Sequence, residues 1–321
     1  MAPIPQLSSV GRYRDLTLLG AGGMGAVYRA YDPSLDRTVA LKLVLVQPGH
    51  SGHNPDYLIR FEREAKAIAR LSHPHIVQVY DFGRDEADNP YFVMELVKGK
   101  ALSTVSKERG PLPPAEALEL IRQAAIGLQA AHDVGIVHRD VKPHNMLVDE
   151  RGQVKLVDFG VARVAGGVSE GMTATNEALG TLHYMAPEVL SGKSVDARAD
   201  VYAMGAILYE CLAGRPPHVG ATSEATLLAI AEGRAADLGA LGGRASSRVA
   251  KLIGRALAPR PEDRFASADA MAEALRRARE PATDESAPRS SDGERMRAVF
   301  VPALVAMALG AAITFAILAL R

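Results

Sequence analysis

The sequence predicts an α+β chain in which a small β-rich lobe precedes a larger helical lobe, with one apolar helix after both. Three observations point that way. Between Tyr13 and Leu96 the chain is a series of short runs of β-branched and aromatic residues bounded by Gly, Pro and Asp turns. From Leu102 onward apolar residues recur at helical spacing instead. From Ala298 to Leu320 no residue carries a charge.

The elements follow in order. Strands are expected at "YRDLTLLG", "AVYRAYD", "TVALKLV", "HIVQVYD" and "YFVMEL". One helix, "PDYLIRFEREAKAIARL", interrupts them. The second lobe is expected to be built on "PAEALELIRQAAIGLQAAHDVG", "ARADVYAMGAILYECLAG" and "ADAMAEALRRARE". Residues 1–12 read as a tail and 13–279 as the globular region, divided into lobes 13–96 and 97–279. Residues 280–297, rich in Pro, Ser and charge, read as a flexible linker. As a helix, 298–320 would span about 34 Å at about 1.5 Å per residue, enough to cross a hydrocarbon core of about 30 Å. Arg295 and Arg297 precede it and Arg321 follows, a bias that favours a cytoplasmic N-terminal side. Ala306 and Gly310 form a small-x-x-x-small pair that could allow close helix contact in a homodimer. The N-terminus has no apolar run of secretory type, so no signal peptide is expected.

Composition excludes some functions. Lys plus Arg and Asp plus Glu number 37 each, so charge gives no case for a nucleic-acid partner. The single cysteine, Cys211, cannot form an internal disulfide and lies in an apolar periodic run, where a buried inert thiol is expected. The pairs His73 and His75 in "LSHPHIV" read as a turn, not as metal ligands.

Two features carry chemistry. "LGAGGMGAVYRA" places Gly20, Gly22 and Gly25 in a G-x-G-x-x-G pattern. A dinucleotide-binding turn needs a helix after the glycines. Here a strand, a turn at "DPSLDR" and another strand follow. The loop therefore caps a hairpin whose backbone amides can approach phosphates. The triplet Asp-Phe-Gly occurs twice, at Asp81–Gly83 and Asp158–Gly160. The second follows Asp140 and Asn145 across a short hairpin and so can fold back beside them. The first stands at a different hairpin, with no such partners near it in sequence, and reads as turn chemistry.

"GAGGMGAV", "VALK", "HRDVKPHN", "DFG" and "APE", in this order, resemble the eukaryotic-type protein kinase family, and the form "HRDVKPHN" resembles its serine/threonine members. A single C-terminal span resembles bacterial receptor-type kinases. The resemblance, over about Tyr13 to Arg279, implies a bilobal protein kinase fold that uses ATP with Mg²⁺ (or Mn²⁺) on protein substrates. It implies ATP contacts from Leu19, Gly20, Ala21, Gly22, Gly23, Met24, Gly25, Ala26, Val27, Ala40, Lys42, Met94, Glu95, Val97 and Leu147. Lys42 would hold the α- and β-phosphates. Val27, Ala40 and Leu147 would sandwich the adenine, with Met94 behind it, and the backbone of Glu95 to Val97 would meet its edge. On a helical wheel Glu64 falls about 60° from Phe61 on the side of Leu71, and Glu62 about 100° away on the other side, so Glu64 is expected to pair with Lys42. Asp140 would be the base, Lys142 would neutralise the transferring phosphoryl, and Asn145 and Asp158 would hold the metal. His138 is expected in a structural role.

Between Asp158 and "APE", the resemblance implies autophosphorylation at Thr173 and Thr175, and phosphate there could pair with Arg139. Thr181 would line the substrate groove. Glu188 is expected to pair with Arg264, and Asp200 to brace the backbone at His138 and Arg139. A non-catalytic pseudokinase scaffold is the alternative, which the presence of Lys42, Asp140, Asn145 and Asp158 disfavours. The complete Asp158-to-Glu188 segment disfavours a small-molecule phosphotransferase.

Overall fold

The computed structural model describes residues 7–22, 25–44, 66–159, 182–234 and 236–280. The expected span at 298–320 and the linker after 280 lie outside them. Among the described residues no helix is long and apolar enough to cross a membrane.

The first lobe is a six-stranded antiparallel sheet in the order β1-β2-β3-β4-β6-β5. Its strands are β1 (Ser9–Val10), β2 (Tyr13–Gly22), β3 (Gly25–Asp32), β4 (Arg37–Val44), β5 (Val79–Arg84) and β6 (Pro90–Met94). Successive side chains alternate faces, and this sorts the lobe into two layers. Tyr28 and Ala30 of β3, Val39, Leu41 and Leu43 of β4, and Tyr91 and Val93 of β6 form a separate outer core with Tyr13. The other face of the same strands carries Val27, Ala40, Val44, Phe92 and Met94, which join the main core running into the second lobe. Lys42 stands on this inner face, directly opposite Val27 on β3 and Phe92 on β6.

The second lobe holds a small sheet of β7 (Gly99–Ala101), β8 (Met146–Asp149) and β9 (Val154–Leu156). Its helices are α1 (Leu102–Arg109), α2 (Pro114–Asp133), α3 (Pro187–Leu190), α4 (Arg198–Ala213), α5 (Ser223–Ala231), α6 (Ser247–Ala256) and α7 (Ala268–Arg279). α2 opens with Pro at its first position and Glu116 in its first turn, both suited to a helix N-terminus. It buries Ala117, Leu120, Ile121, Ala124, Leu128 and Ala131 along one stripe. α4 is buried almost all round and is the central pillar of the lobe. It ends at Gly214, whose left-handed φ of 74° lets its N–H cap the Glu210 carbonyl at 2.8 Å.

Two expectations need correction. The strand expected over "HIVQVYD" begins only at Val79. His75 and Val77 bond to the other lobe instead: Leu156 N–H donates to the His75 carbonyl, and Val77 N–H to the Leu156 carbonyl, both at 2.9 Å. Ile76 and Val77 are apolar and buried in the main core, so burial between the lobes outweighs their pairing in the first sheet. Asp81, expected at an outer turn, lies inside β5, and the turn falls at Asp85–Asn89. The helix expected from Pro55 to Leu71 is described only from residue 66, where 66–69 are helical.

Candidate active site

The site is assembled where β4 of the first lobe meets the segments flanking β8 and β9. Lys42 is 8% exposed, and its Nζ lies 2.7 Å from Oδ1 of Asp158. A buried ammonium is tolerated only when paired, and the carboxylate from across the crevice supplies the pair. The turn that delivers Asp158 is tightly held. Val157 N–H donates to the Asn145 carbonyl at 3.0 Å, and Phe159 is buried against the His138 ring, 4.5 Å between centroids.

The second group forms around Asp140. Lys142 Nζ approaches Asp140 Oδ2 at 2.9 Å. Asn145 Nδ2 donates to the Asp140 carbonyl at 2.9 Å and to its Oδ2 at 3.0 Å. With its amide nitrogen so committed, Asn145 presents its oxygen as the remaining polar atom. Asp158 and Asn145 then form a set of hard oxygen donors, which suits Mg²⁺ bound by one or two protein groups plus phosphate oxygens. Among the described residues no group of three or more His, Cys, Asp or Glu could hold a metal by itself.

Behind these residues the catalytic loop hangs from α4. Asp200, 1% exposed, accepts from His138 N–H at 2.9 Å and from Arg139 N–H at 2.8 Å. His132 at the end of α2 bonds the same carboxylate through Nε2 at 2.8 Å. Sequence reasoning missed His132. Its position one residue after Ala131, on the buried stripe of α2, was the available signal. His138 takes the expected structural place: its Nε2 bonds the Val157 carbonyl at 3.0 Å.

The glycine hairpin explains its own residues. Gly22 pairs with Gly25 at its tip. Gly25 has φ 140°, and a Cβ there would lie 2.0 Å from the Leu43 carbonyl oxygen, so only glycine fits. Gly20 differs: a Cβ there would meet nothing within 4 Å. Among the described residues no contact requires glycine at that position, whereas approach of a ligand to the backbone would. Ala40 and Met94 are paired neighbours on the inner face. The side chain of Ala26 is buried in the outer core with Tyr28, so a nucleotide could meet only its backbone. Leu19 and Ala21 are exposed on β2, Val97 is half-buried against the main core, and Leu147 is half-buried on β8. Glu95 uses its N–H on the Gln78 carbonyl at 2.9 Å. Gly23, Met24, Glu64, Thr173, Thr175 and Thr181 lie outside the described residues.

The first Asp-Phe-Gly is far from this chemistry in its bonding. Asp81 accepts from Tyr13 Oη at 2.7 Å and pairs with Arg12 at 3.0 Å. Gly83 is glycine because a Cβ would lie 2.6 Å from the Tyr91 hydroxyl.

Beside the Asp140 loop, Tyr184 donates to Glu210 at 2.6 Å. Burial pushes Glu210 above the usual carboxylate range, with the Tyr184 hydrogen bond and the nearby His183 acting against it. Burial, reinforced by Glu210, raises the Tyr184 phenol too. Burial also lifts the Cys211 thiol to about 12, as expected of an inert cysteine. The Glu188–Arg264 pair is bidentate, at 2.6 and 2.7 Å.

With this geometry in place, comparison with known proteins gives one result throughout. The chain belongs to the protein kinase domain family, which it matches over residues 13–275. It is 42% identical to the serine/threonine-protein kinase PknD of Mycobacterium tuberculosis over 272 residues, covering 84% of this chain and 40% of PknD. It is 36% identical to the serine/threonine-protein kinase PknB of Mycolicibacterium smegmatis over 294 residues, covering 91% of this chain and 47% of that protein. The chain thus spans less than half the length of both. The solved kinase domain of Mycobacterium tuberculosis PknI superposes with a TM-score of 0.64 at 29% identity, covering 86% of this chain and all of that one.

Proposed function

We propose that the chain is a serine/threonine protein kinase that transfers the γ-phosphoryl group of ATP to hydroxyls of protein substrates. The observation that carries this reading is the Lys42–Asp158 contact of 2.7 Å across the crevice, with Asp140, Lys142 and Asn145 gathered beside it. Phosphoryl transfer asks for positioning and charge neutralisation more than for covalent chemistry. Lys42 binds the α- and β-phosphates. Asp140 orients the acceptor hydroxyl and receives its proton, and Lys142 offsets charge on the transferring group. Asp158 and Asn145 would hold Mg²⁺, which would supply positive charge against the negative charge that develops on the transferring group. Tyr184, Met185 and Ala186, which border the Asp140 loop, fit the floor of a peptide groove.

The finer reading has the kinase region on the cytoplasmic face of a membrane, anchored by residues 298–320, with Thr173 and Thr175 modified by the kinase itself. The uncharged run of 23 residues and the arginines beside it support the first part. The test is to incubate the 321-residue chain in detergent with labelled ATP and Mg²⁺ and map phosphorylated residues by mass spectrometry. The expected result is label on Ser or Thr of an added protein and on Thr173 or Thr175. No label on any protein would end the reading. Label on substrate alone would end the self-modification part only.

A further inference from the structure

Lys155 has no part in the chemistry assigned above. It lies on β9 directly opposite Leu147 of β8, and its Nζ donates to Glu95 Oε2 at 2.7 Å. Their side chains are 24% and 28% exposed, so solvent screens the pair only in part. Glu95 is held by further bonds as well. Its N–H donates to the Gln78 carbonyl at 2.9 Å, and Gln78 N–H approaches Glu95 Oε2 at 3.4 Å. Gln78 Nε2 is anchored to the Val79 carbonyl at 3.2 Å. One residue before Gln78, Val77 N–H donates to the carbonyl of Leu156, the neighbour of Lys155, at 2.9 Å. The bonds close a ring through Glu95, Gln78, Val77, Leu156 and Lys155. That ring locks the connection after β6 onto the hairpin that carries Leu147.

An isolated surface ion pair is worth little. Here the pair closes a ring whose other members are backbone hydrogen bonds, and it fixes the one segment of Glu95 to Val97 that would meet a purine edge. With its N–H and carboxylate both committed behind, Glu95 has its carbonyl left to face a base. We propose that Lys155 is a positioning residue for the nucleotide: through Glu95 it holds the connecting segment in register with Leu147, so that an adenine ring fits between them. This rests on the assignment of an ATP site made above. A recess of about 280 Å³ lined by Ser72, His73, Pro74, Ile76, Gln78 and Lys155 adjoins the pair, so a shorter or apolar side chain at position 155 can be accommodated there.

The experiment uses the 321-residue chain in detergent. ATP affinity is measured by calorimetry, and kcat and KM with a Ser/Thr peptide. Lys155→Met is expected to raise both Kd and KM for ATP three- to tenfold. The peptide KM should hold and kcat should change less than twofold. Glu95→Gln should match it, and the double variant should be no worse than either single one. The exchanged pair Lys155→Glu with Glu95→Lys should recover most of the affinity. If Lys155→Met does not fold, as judged by its circular dichroism melting curve, Lys155→Gln is read on the same scale. Unchanged ATP affinity, or effects that multiply in the double variant, would overturn the proposal. A parent chain that binds ATP but phosphorylates nothing would refute the kinase assignment while the calorimetry still decides on Lys155. A parent that binds no ATP would refute both.

Discussion

Asp158 and Arg139 hold left-handed backbone, φ 65° and 64°, without being glycine. Such conformations cost about 1–3 kcal/mol and persist only where surrounding bonds impose them. At Arg139 the imposing bond is the one from its N–H to Asp200, and at Asp158 the Val157–Asn145 hydrogen bond fixes the preceding residue. The strain sits one residue before Asp140 and at Asp158 itself. Asp140→Asn should therefore keep the loop shape and ATP binding while lowering kcat by about 10²–10⁴; single-turnover phosphorylation of a peptide checks this. The two Asp-Phe-Gly copies should separate cleanly. Asp158→Ala should abolish Mg²⁺-dependent ATP binding. Asp81→Ala should leave it intact but cost about 1–3 kcal/mol in urea unfolding, because the buried Tyr13 hydroxyl loses its acceptor.

Among the elements, the brace between α3 and the turn before α7 makes the sharpest case. Arg264 is fully buried and donates to the carbonyls of Ala258, Arg198 and Pro259 as well as to Glu188. Removing one partner of a buried pair costs about 3–5 kcal/mol when the other is stranded. Arg264→Leu strands Glu188 and should cost that much. Glu188→Gln leaves Arg264 three carbonyl acceptors and should cost distinctly less; chemical denaturation of both variants tests the asymmetry. This pair was legible through the family resemblance, and the glycine hairpin because it depends on residue types at fixed spacing. The start of β5 was not. "HIVQVY" has strand composition wherever it lies, and only three-dimensional burial decides that Ile76 and Val77 join the other lobe. His132 and Lys155 escaped for a related reason: one histidine or lysine on an amphipathic element carries no local mark of the partner it will meet.

For the molecule as a whole, partly and fully buried histidines contribute to the response to acid. Burial lowers His73, His75 and His218 below the usual imidazole value, with His75 adding to it at His73 and His183 adding to it at His218. Each takes up a proton less readily folded than unfolded. Their contribution is therefore complete above the unfolded value of about 6.5 and is lost as pH falls through the lower folded values. Melting temperature should drop between pH 7.5 and 5.5, and His218→Phe should flatten that slope, as differential scanning calorimetry would measure. The seam from His75 to Val77 has a different consequence. Because the first lobe is stitched there to β9 of the second, the crevice resembles a book bound along its spine. Its covers are joined along that spine, so any change of angle between them has to turn on the two backbone hydrogen bonds that Leu156 makes with His75 and Val77.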